Sequence, residues 1–92
     1  MIVGFRNKGL KRLYDSGDPR GLNPQHIDKI ELILGVLEEA STIADVGLPS
    51  FRLHPLTGDL KGFRSVTIRA NWRIIFRYEH GDASDIDLVD YH

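Results

Sequence analysis

A chain of 92 residues is long enough for one domain and too short for two, so the sequence predicts a single domain over residues 1–92. It contains no cysteine, which excludes a disulfide framework and a thiolate metal site, and no apolar run reaches the roughly 18 residues of a membrane span. A formal net charge of -1 argues against unselective binding to polyanions. We therefore expect a soluble, cytoplasmic protein.

The charges are distributed unevenly along the chain. Residues 1–14 contain four basic and no acidic side chains, whereas residues 15–50 contain seven acidic side chains and two basic ones. Residues 51–78 contain six basic side chains and one acid, and residues 79–92 contain five acids and no lysine or arginine. The nearly neutral net charge therefore hides a basic middle segment. This uneven distribution is evidence about the partners of the protein rather than about its fold.

A short strand and a helix are the first predicted elements. Ile2–Phe5 is an apolar run, typical of a strand that joins the main sheet. Asn7 is a suitable N-cap for a helix whose apolar residues recur at helical spacing from Leu10 to Tyr14. The breakers in residues 15–19 then end this helix.

The second helix is predicted from its start signals and its apolar stripe. Asn23 can cap this helix, and Pro24 suits the first helical position, where a missing N–H breaks no intrahelical bond. The stripe is typical of a helix face that packs on a sheet. Its members are Ile27, Ile30, Ile33, Leu34 and Leu37. We assign no role to His26 and expect one further turn in residues 41–45.

A β-hairpin over residues 63–78 is the central feature of the sequence. Apolar and polar residues alternate on both sides of residues 69–72, which is the pattern of two half-buried strands. An odd-numbered loop sorts the side chains by polarity, because a slip of one residue would turn every side chain to the other face. This register predicts an apolar face of Val66, Ile68, Ile74 and Phe76 and a cationic face of Ser65, Thr67, Arg69, Arg73 and Arg77.

Two further strands complete the predicted sheet. Residues 52–56 form a short strand that leads through a loop over residues 57–62 into the hairpin, and Asp85–Asp90 forms the last strand. The order of elements predicts an α+β fold. In this fold, two helices from the N-terminal half pack on one face of a mainly antiparallel sheet of four or five strands.

The polar side of this sheet offers the groups that metal-free RNA cleavage requires. The reaction needs a base for the 2′-hydroxyl proton, an acid for the 5′-oxygen and a fixed cation for the charge that grows on the phosphate. Arg73 and Arg69 suit the phosphate, since a guanidinium is a planar fork of donors that keeps its charge. His54 and His92 can exchange a proton near neutral pH.

Two more candidates lie at the C-terminal end. Asp90 can orient a histidine, and Tyr91 can donate to a phosphate or stack on a base. No segment has the spacing of metal ligands, so we expect neither a metal nor a cofactor. Each candidate also has a purely structural interpretation, such as a loop histidine, a terminal tail or a solvated sheet face. Composition and spacing alone leave this choice open.

Four separated motifs resemble those of HigB toxins in the RelE superfamily. The motifs are Arg52-Leu53-His54-Pro55-Leu56, then Gly58-Asp59 with Gly62-Phe63, then Asn71-Trp72-Arg73-Ile74, and finally Asp90-Tyr91-His92, and the opening Lys8-Gly9-Leu10-Lys11 matches as well. They occur in the same order at similar spacing, so the resemblance covers nearly the whole chain. It implies a small RelE-like fold.

The resemblance also implies a function and partners. HigB toxins belong to type II toxin-antitoxin systems, enter the A site of the 70S ribosome and cut mRNA there, and a HigA-like helix-turn-helix antitoxin neutralises them. Two alternatives remain. One is a ParE-like toxin on the same fold that inhibits DNA gyrase by binding, and the other is a non-catalytic protein that binds only its antitoxin or nucleic acid.

Site residues are carried over from the family position by position. The matching residues are His54, Asn71, Arg73, Asp90, Tyr91 and His92. By this resemblance, Arg73 stabilises transition-state charge, and His92 transfers protons with Asp90. His54 is then a second proton-transfer or phosphate-binding group, and Asn71 and Tyr91 place the mRNA.

One departure from the family pattern concerns a loop cation. Thr57 stands where many relatives carry a lysine, and Lys61 is the candidate replacement for substrate binding. The basic side chains of the first helix are a second, weaker candidate surface. Lys8, Lys11 and Arg12 either form a solvated helix face or, together with Arg6, contact phosphates of 16S ribosomal RNA.

Overall fold

The computed structural model describes residues 1–91, and His92 lies outside the described residues. Within this range, the α-helices are α1 (Lys8–Ser16) and α2 (Ile27–Glu39), and the strands are β1 (His54–Pro55), β2 (Arg64–Arg69), β3 (Trp72–Glu79) and β4 (Asp82–Asp90). The strands form one sheet in the order β1-β2-β3-β4, in which every neighbouring pair is antiparallel. The predicted α+β fold is confirmed.

Local capping residues fix both ends of α1. The side-chain oxygen of Asn7 accepts a hydrogen bond of 2.8 Å from the N–H of Leu10, as predicted for an N-cap. At the other end, Gly17 adopts a left-handed conformation with φ 72°, and its N–H donates to the carbonyl oxygen of Leu13.

The second helix begins one turn later than predicted. Pro24–His26 forms a 3₁₀ turn, capped by a hydrogen bond of 2.9 Å from the N–H of Gln25 to the side-chain oxygen of Asn23. His26 is buried, and its ring centroid lies 6.0 Å from that of Trp72. The predicted apolar stripe of α2 faces the sheet, and its fully packed members are Ile30, Ile33, Leu34 and Leu37.

The apolar face of the hairpin is confirmed by burial. Its four predicted members, Val66, Ile68, Ile74 and Phe76, are all at most 6% exposed and belong to one cluster with the apolar stripes of both helices. Removal of this apolar area from water is the main driving force that holds the helices on the sheet.

The pairing of β2 with β3 has the predicted odd register over most of the hairpin. Thr67 lies opposite Arg73, which leaves an odd number of residues between them. A β-bulge after Thr67 then shifts the pairing, so that Arg69 lies opposite Trp72 and the turn contains only Ala70 and Asn71. The prediction that Arg69 shares the cationic face is therefore wrong, because the bulge turns Arg69 toward the helices.

Three predicted strands differ from the observed ones. β4 starts at Asp82 rather than at the predicted Asp85, and the other two differ at the edges of the sheet. The segment Ile2–Phe5 makes two isolated parallel bridges to β4, Ile2 with Ala83 and Phe5 with Ile86, so it joins the sheet without forming a regular strand. The strand predicted over residues 52–56 is limited to β1. It starts late because Arg52 has a left-handed conformation with φ 49°.

A second apolar cluster lies on the face of the sheet opposite the helices, here called the open face. Leu56, Phe63 and Ile75 are buried in this cluster, with Leu60 and Val89 packed against them. Within residues 1–91, no helix is long and apolar enough to cross a membrane.

Candidate active site on the open face

Two rows of paired residues organise the open face. One row runs from His54 on β1 through Ser65 and Ile75 to Asp87 on β4. The neighbouring row contains Thr67, Arg73 and Val89. Paired residues of an antiparallel sheet share a face, so the predicted catalytic residues His54 and Arg73 lie on the same side. From standard strand spacing, their Cα atoms are roughly 12 Å apart.

The imidazole of His54 is exposed and held by two neighbours. Its Nδ1 atom lies 3.1 Å from the carbonyl oxygen of Arg52. Because a carbonyl oxygen only accepts, this hydrogen bond places the proton of the neutral ring on Nδ1 and leaves Nε2 as an acceptor. The hydroxyl of Ser65 lies 3.4 Å from each ring nitrogen, and Ser65 itself is only 2% exposed. His54 therefore presents a basic nitrogen on a fixed support.

The guanidinium of Arg73 is anchored to the β2–β3 turn. Its Nη1 donates a hydrogen bond of 2.6 Å to the carbonyl oxygen of Ala70 and a longer one to that of Trp72. The Nε atom of Arg73 and the hydroxyl of Thr67 are buried side-chain atoms without a hydrogen-bond partner in the described part of the chain. The two residues are paired across β2 and β3, so these two polar atoms without a hydrogen-bond partner lie close together on the open face.

Asp90 and Tyr91 lie beside the same turn. The N–H of Tyr91 donates a hydrogen bond of 2.7 Å to the carbonyl oxygen of Asn71, and the side chain of Tyr91 is 46% exposed. Asp90 is paired with Trp72, which places it on the side of the sheet that carries the helices rather than beside Arg73. His92 is the third residue of this motif and lies outside the described residues.

The remaining sequence candidates are dispersed. Lys61 is exposed at the end of the 3₁₀ turn Gly58–Leu60 in the loop before β2. Arg69 reaches the start of α2, where its Nη1 lies 3.4 Å from the side-chain oxygen of Gln25.

The basic side chains of α1 are in the other layer of the fold, away from the open face. Lys11 forms an ion pair with Asp15, and Arg12 donates to the carbonyl oxygen of Arg20 at 3.0 Å. Lys8 occupies the first position of the helix and is exposed. Since Lys11 is paired with Asp15, the helix presents less free positive charge than the sequence indicates.

A comparison with known protein families identifies the family of the chain. Residues 3–92 match the family described as RelE-like toxin of type II toxin-antitoxin system HigB. The chain belongs to this family. The resemblance that the motifs indicated is thereby confirmed.

Curated relatives of this HigB-family toxin carry matching names. Endoribonuclease HigB from Proteus vulgaris is 41% identical over 92 residues, which is 100% of each chain. Toxin HigB-1 from Vibrio cholerae serotype O1 is 29% identical over 85 residues, which is 90% of each chain.

Solved structures share the fold of the toxin at low sequence identity. A mutant of YafQ from E. coli has a TM-score of 0.64 at 16% identity, covering 98% of this chain and 91% of that chain. A copper-bound mutant toxin from Helicobacter pylori has a TM-score of 0.53 at 17% identity, covering 97% of this chain and 91% of that chain. These likenesses support the RelE-like architecture and nothing about chemistry.

Ser65 was not predicted from the sequence of the toxin as a site residue, although its hydroxyl contacts His54. Its signal was present in the alternation of the hairpin, which assigns Ser65 to the open face. The sequence did not show which residue pairs with Ser65. The pairing of β1 with β2 places His54 opposite it.

Among residues 1–91, no three His, Cys, Asp or Glu side chains come together to hold a metal ion.

Proposed function

We propose that this toxin is an endoribonuclease that cuts mRNA in the A site of the 70S ribosome and thereby stops translation in the cytoplasm. The observation that carries the proposal is the 41% identity, over the full length of both chains, to a protein named Endoribonuclease HigB. Membership of a type II toxin family implies an antitoxin partner. We propose a HigA-like helix-turn-helix protein for that partner. The family match does not favour the gyrase-inhibiting alternative.

The proposed reaction is an attack of the ribose 2′-oxygen on the adjacent phosphorus. A bond forms between the 2′-oxygen and phosphorus while the bond from phosphorus to the 5′-oxygen breaks, which leaves a 2′,3′-cyclic phosphate and a 5′-hydroxyl. Nε2 of His54 is the acceptor on the open face and suits the removal of the 2′-hydroxyl proton. His92, oriented by Asp90, is proposed to return a proton to the 5′-oxygen.

Arg73 is proposed to stabilise the charge that grows on the phosphate oxygens. Its Nη1 is fixed by the carbonyl of Ala70, so the other terminal nitrogen is positioned without further ordering of the side chain. Asn71 and Tyr91 flank this position and are proposed to place the mRNA, with Lys61 as a further phosphate contact.

The modest charge of the protein supports the proposed dependence on the ribosome. A formal net charge of -1 gives little unselective attraction to a polyanion. A large RNA scaffold can supply the positioning that this small sheet lacks. Lys8, Lys11 and Arg12 are proposed as weak contacts to 16S ribosomal RNA, through phosphates rather than bases.

The test is to map mRNA ends by primer extension after incubation with the purified toxin, with and without 70S ribosomes. We expect new ends within codons of translated mRNA, none on free mRNA, and suppression by the antitoxin. Cleavage of free RNA at the same rate would disprove the ribosome dependence. Absence of new ends in both reactions, for a protein that still arrests growth, would disprove the endoribonuclease proposal.

A further inference from the structure

A second cationic cluster lies on the open face, toward the other end of β3 from Arg73. The guanidinium carbon of Arg77 lies 4.4 Å from the ring centroid of Phe63, and that of Arg6 lies 4.9 Å from it. Both arginines also approach Asp85 through their Nε atoms, at 3.4 Å for Arg77 and 3.8 Å for Arg6. We call these four residues the Phe63 cluster.

The backbone is shaped to admit the guanidinium of Arg77. Gly62 has φ 95°, and a Cβ atom at this position would lie 2.7 Å from Nη1 of Arg77. Asp85 belongs to a bulged part of β4 and has φ 51°, which turns it out of the regular alternation. The guanidinium is thus bounded by a ring, a carboxylate and a glycine backbone, so little side-chain freedom remains to be lost when it binds an anion.

The Phe63 cluster has one positive charge in excess, because two guanidiniums share one carboxylate. The side chains of Arg6, Arg77 and Asp85 are 49%, 41% and 44% exposed. Ion pairs this exposed contribute little to stability, so stability alone does not account for two arginines on one buried ring. Both pairs engage Nε, so the terminal donors of each guanidinium remain available to a further acceptor.

The cluster is aligned with the proposed active site. Arg73 and Arg77 are four residues apart on the same strand and face, which corresponds to about 14 Å. Between them, Ile75 is buried in the second apolar cluster and Val89 is half-buried. The carboxylate of Asp87 borders this path, and it accepts a hydrogen bond of 2.8 Å from the N–H of Leu88. Two cations in line on one face form a positively charged track of the kind that follows the backbone of a single strand.

We propose that the Phe63 cluster is a second phosphate site, which holds the mRNA backbone a few nucleotides from the scissile phosphodiester. This inference rests on the proposed function and adds a binding site that extends the substrate path along β3. Arg77 supplies the fixed fork, and Arg6 adds a second cation from the N-terminal segment.

The test compares the Arg6→Gln/Arg77→Gln double variant with a charge-matched control, Arg20→Gln/Lys29→Gln. Arg20 pairs with Asp18, and Lys29 donates to a backbone carbonyl, both away from the open face. The assay measures kcat and KM for cleavage of a defined mRNA on ribosomes over a range of salt concentrations. We expect KM to rise about tenfold and the salt slope to fall by roughly two in the cluster variant, with kcat nearly unchanged. The control should match the wild type.

A second arm identifies the phosphate. An mRNA with a neutral methylphosphonate linkage near the cleavage site should raise KM for the wild type and leave KM of the cluster variant unchanged. The Arg6→Lys/Arg77→Lys variant retains the charge and should recover most of the salt slope. Thermal unfolding of every variant separates a binding defect from loss of fold.

Three results would overturn the inference. One is a cluster variant with wild-type KM and salt slope. Another is a KM defect that does not depend on any single mRNA linkage, which would assign the cluster to ribosomal RNA. The third is loss of antitoxin binding without a change in KM. In each of these cases the wild type still cleaves mRNA, so the endoribonuclease proposal stands. A wild type that cleaves no RNA would instead disprove the endoribonuclease proposal.

Discussion

The N–H of Tyr91 donates a hydrogen bond of 2.7 Å to the carbonyl oxygen of Asn71, so the last described residue is held against the β2–β3 turn. The neighbouring carbonyl in this turn, that of Ala70, accepts from the guanidinium of Arg73. One two-residue turn therefore fixes both an arginine of the open face and the backbone of Tyr91. The turn is the point at which changes in backbone geometry should affect the proposed chemistry most.

Replacement of Arg73 by alanine should lower kcat for ribosomal mRNA cleavage by about 10²–10³, which is typical of the loss of one fixed donor to a developing oxyanion. Arg73→Lys retains the charge but not the planar fork, so we expect an intermediate rate. The measurement is primer extension under single-turnover conditions. Antitoxin binding and the unfolding midpoint serve as controls, and a fully active Arg73→Ala variant would exclude this residue from the site.

Removal of the Ser65 hydroxyl should lower kcat about three- to tenfold and leave KM unchanged. The physical reason is that the hydroxyl oxygen of Ser65 lies 3.4 Å from Nδ1 of His54 and accepts a share of its proton, in a hydrogen bond worth on the order of 1 kcal/mol that orients the ring rather than performs the reaction. Replacement of His54 itself by asparagine should cost far more, about 10²–10⁴ in kcat. Ser16→Ala, the same chemical change on α1, is the matched control. An equal loss in both serine variants would show that Ser65 does not act through His54.

Much of this fold was predictable because the apolar residues of the hairpin and of α2 recur at the periods of a strand and a helix. The alternation around Val66 and Ile74 determined the register, and the start signal at Asn7 placed α1, whereas the signal at Asn23 marks the 3₁₀ turn before α2. The bulge next to Arg69 was not predictable, since it inserts one residue without disturbing the alternation on either side. Its effect is nevertheless large, because it moves Arg69 from the open face to the helices.

The candidate site was predictable as a set of residue types and only partly as a geometry. His54 and Arg73 share a face, as the alternation indicates, but the support of His54 by Ser65 depends on pairing between separate strands. The buried part of the open face was also unexpected. Leu56 and Ile75 do not belong to the main apolar pattern, and they are buried because the loop over residues 57–62 folds across the sheet.

Acid should weaken the attachment of the N-terminal segment to α2. Hydrogen bonds from the hydroxyl of Tyr14 and from the N–H of Ile2 lower the pKa of the Glu38 carboxyl below its usual range. A carboxylate whose pKa is depressed in the folded state stabilises the fold above its unfolded pKa, about 4.3, and this contribution is lost as the pH falls through the folded pKa. The stability difference between wild type and Glu38→Gln should therefore shrink between about pH 5 and about pH 3.

Urea unfolding at several pH values measures this effect. Glu39→Gln removes the same charge one residue further along α2 and is the control. A stability difference for Glu38→Gln that stays constant across this pH range would contradict the assignment, since the variant would then report a loss of packing rather than of a charged acceptor.

Two glycine-to-alanine substitutions should change stability in opposite directions. At Gly62, alanine must adopt a left-handed φ of 95°, and its Cβ would lie 2.7 Å from Nη1 of Arg77, so we expect destabilisation by about 1–2 kcal/mol. At Gly35, within α2, no atom beyond its chain neighbours and the helix's own backbone lies within 4 Å of an added Cβ, and alanine should stabilise the helix by roughly 0.5–1 kcal/mol. The comparison is made by urea unfolding at neutral pH. If Gly62→Ala left the free energy of unfolding unchanged, the loop would relax without cost and would not confine the guanidinium of Arg77. If Gly35→Ala destabilised the protein, the outer face of α2 would be more crowded than its geometry indicates.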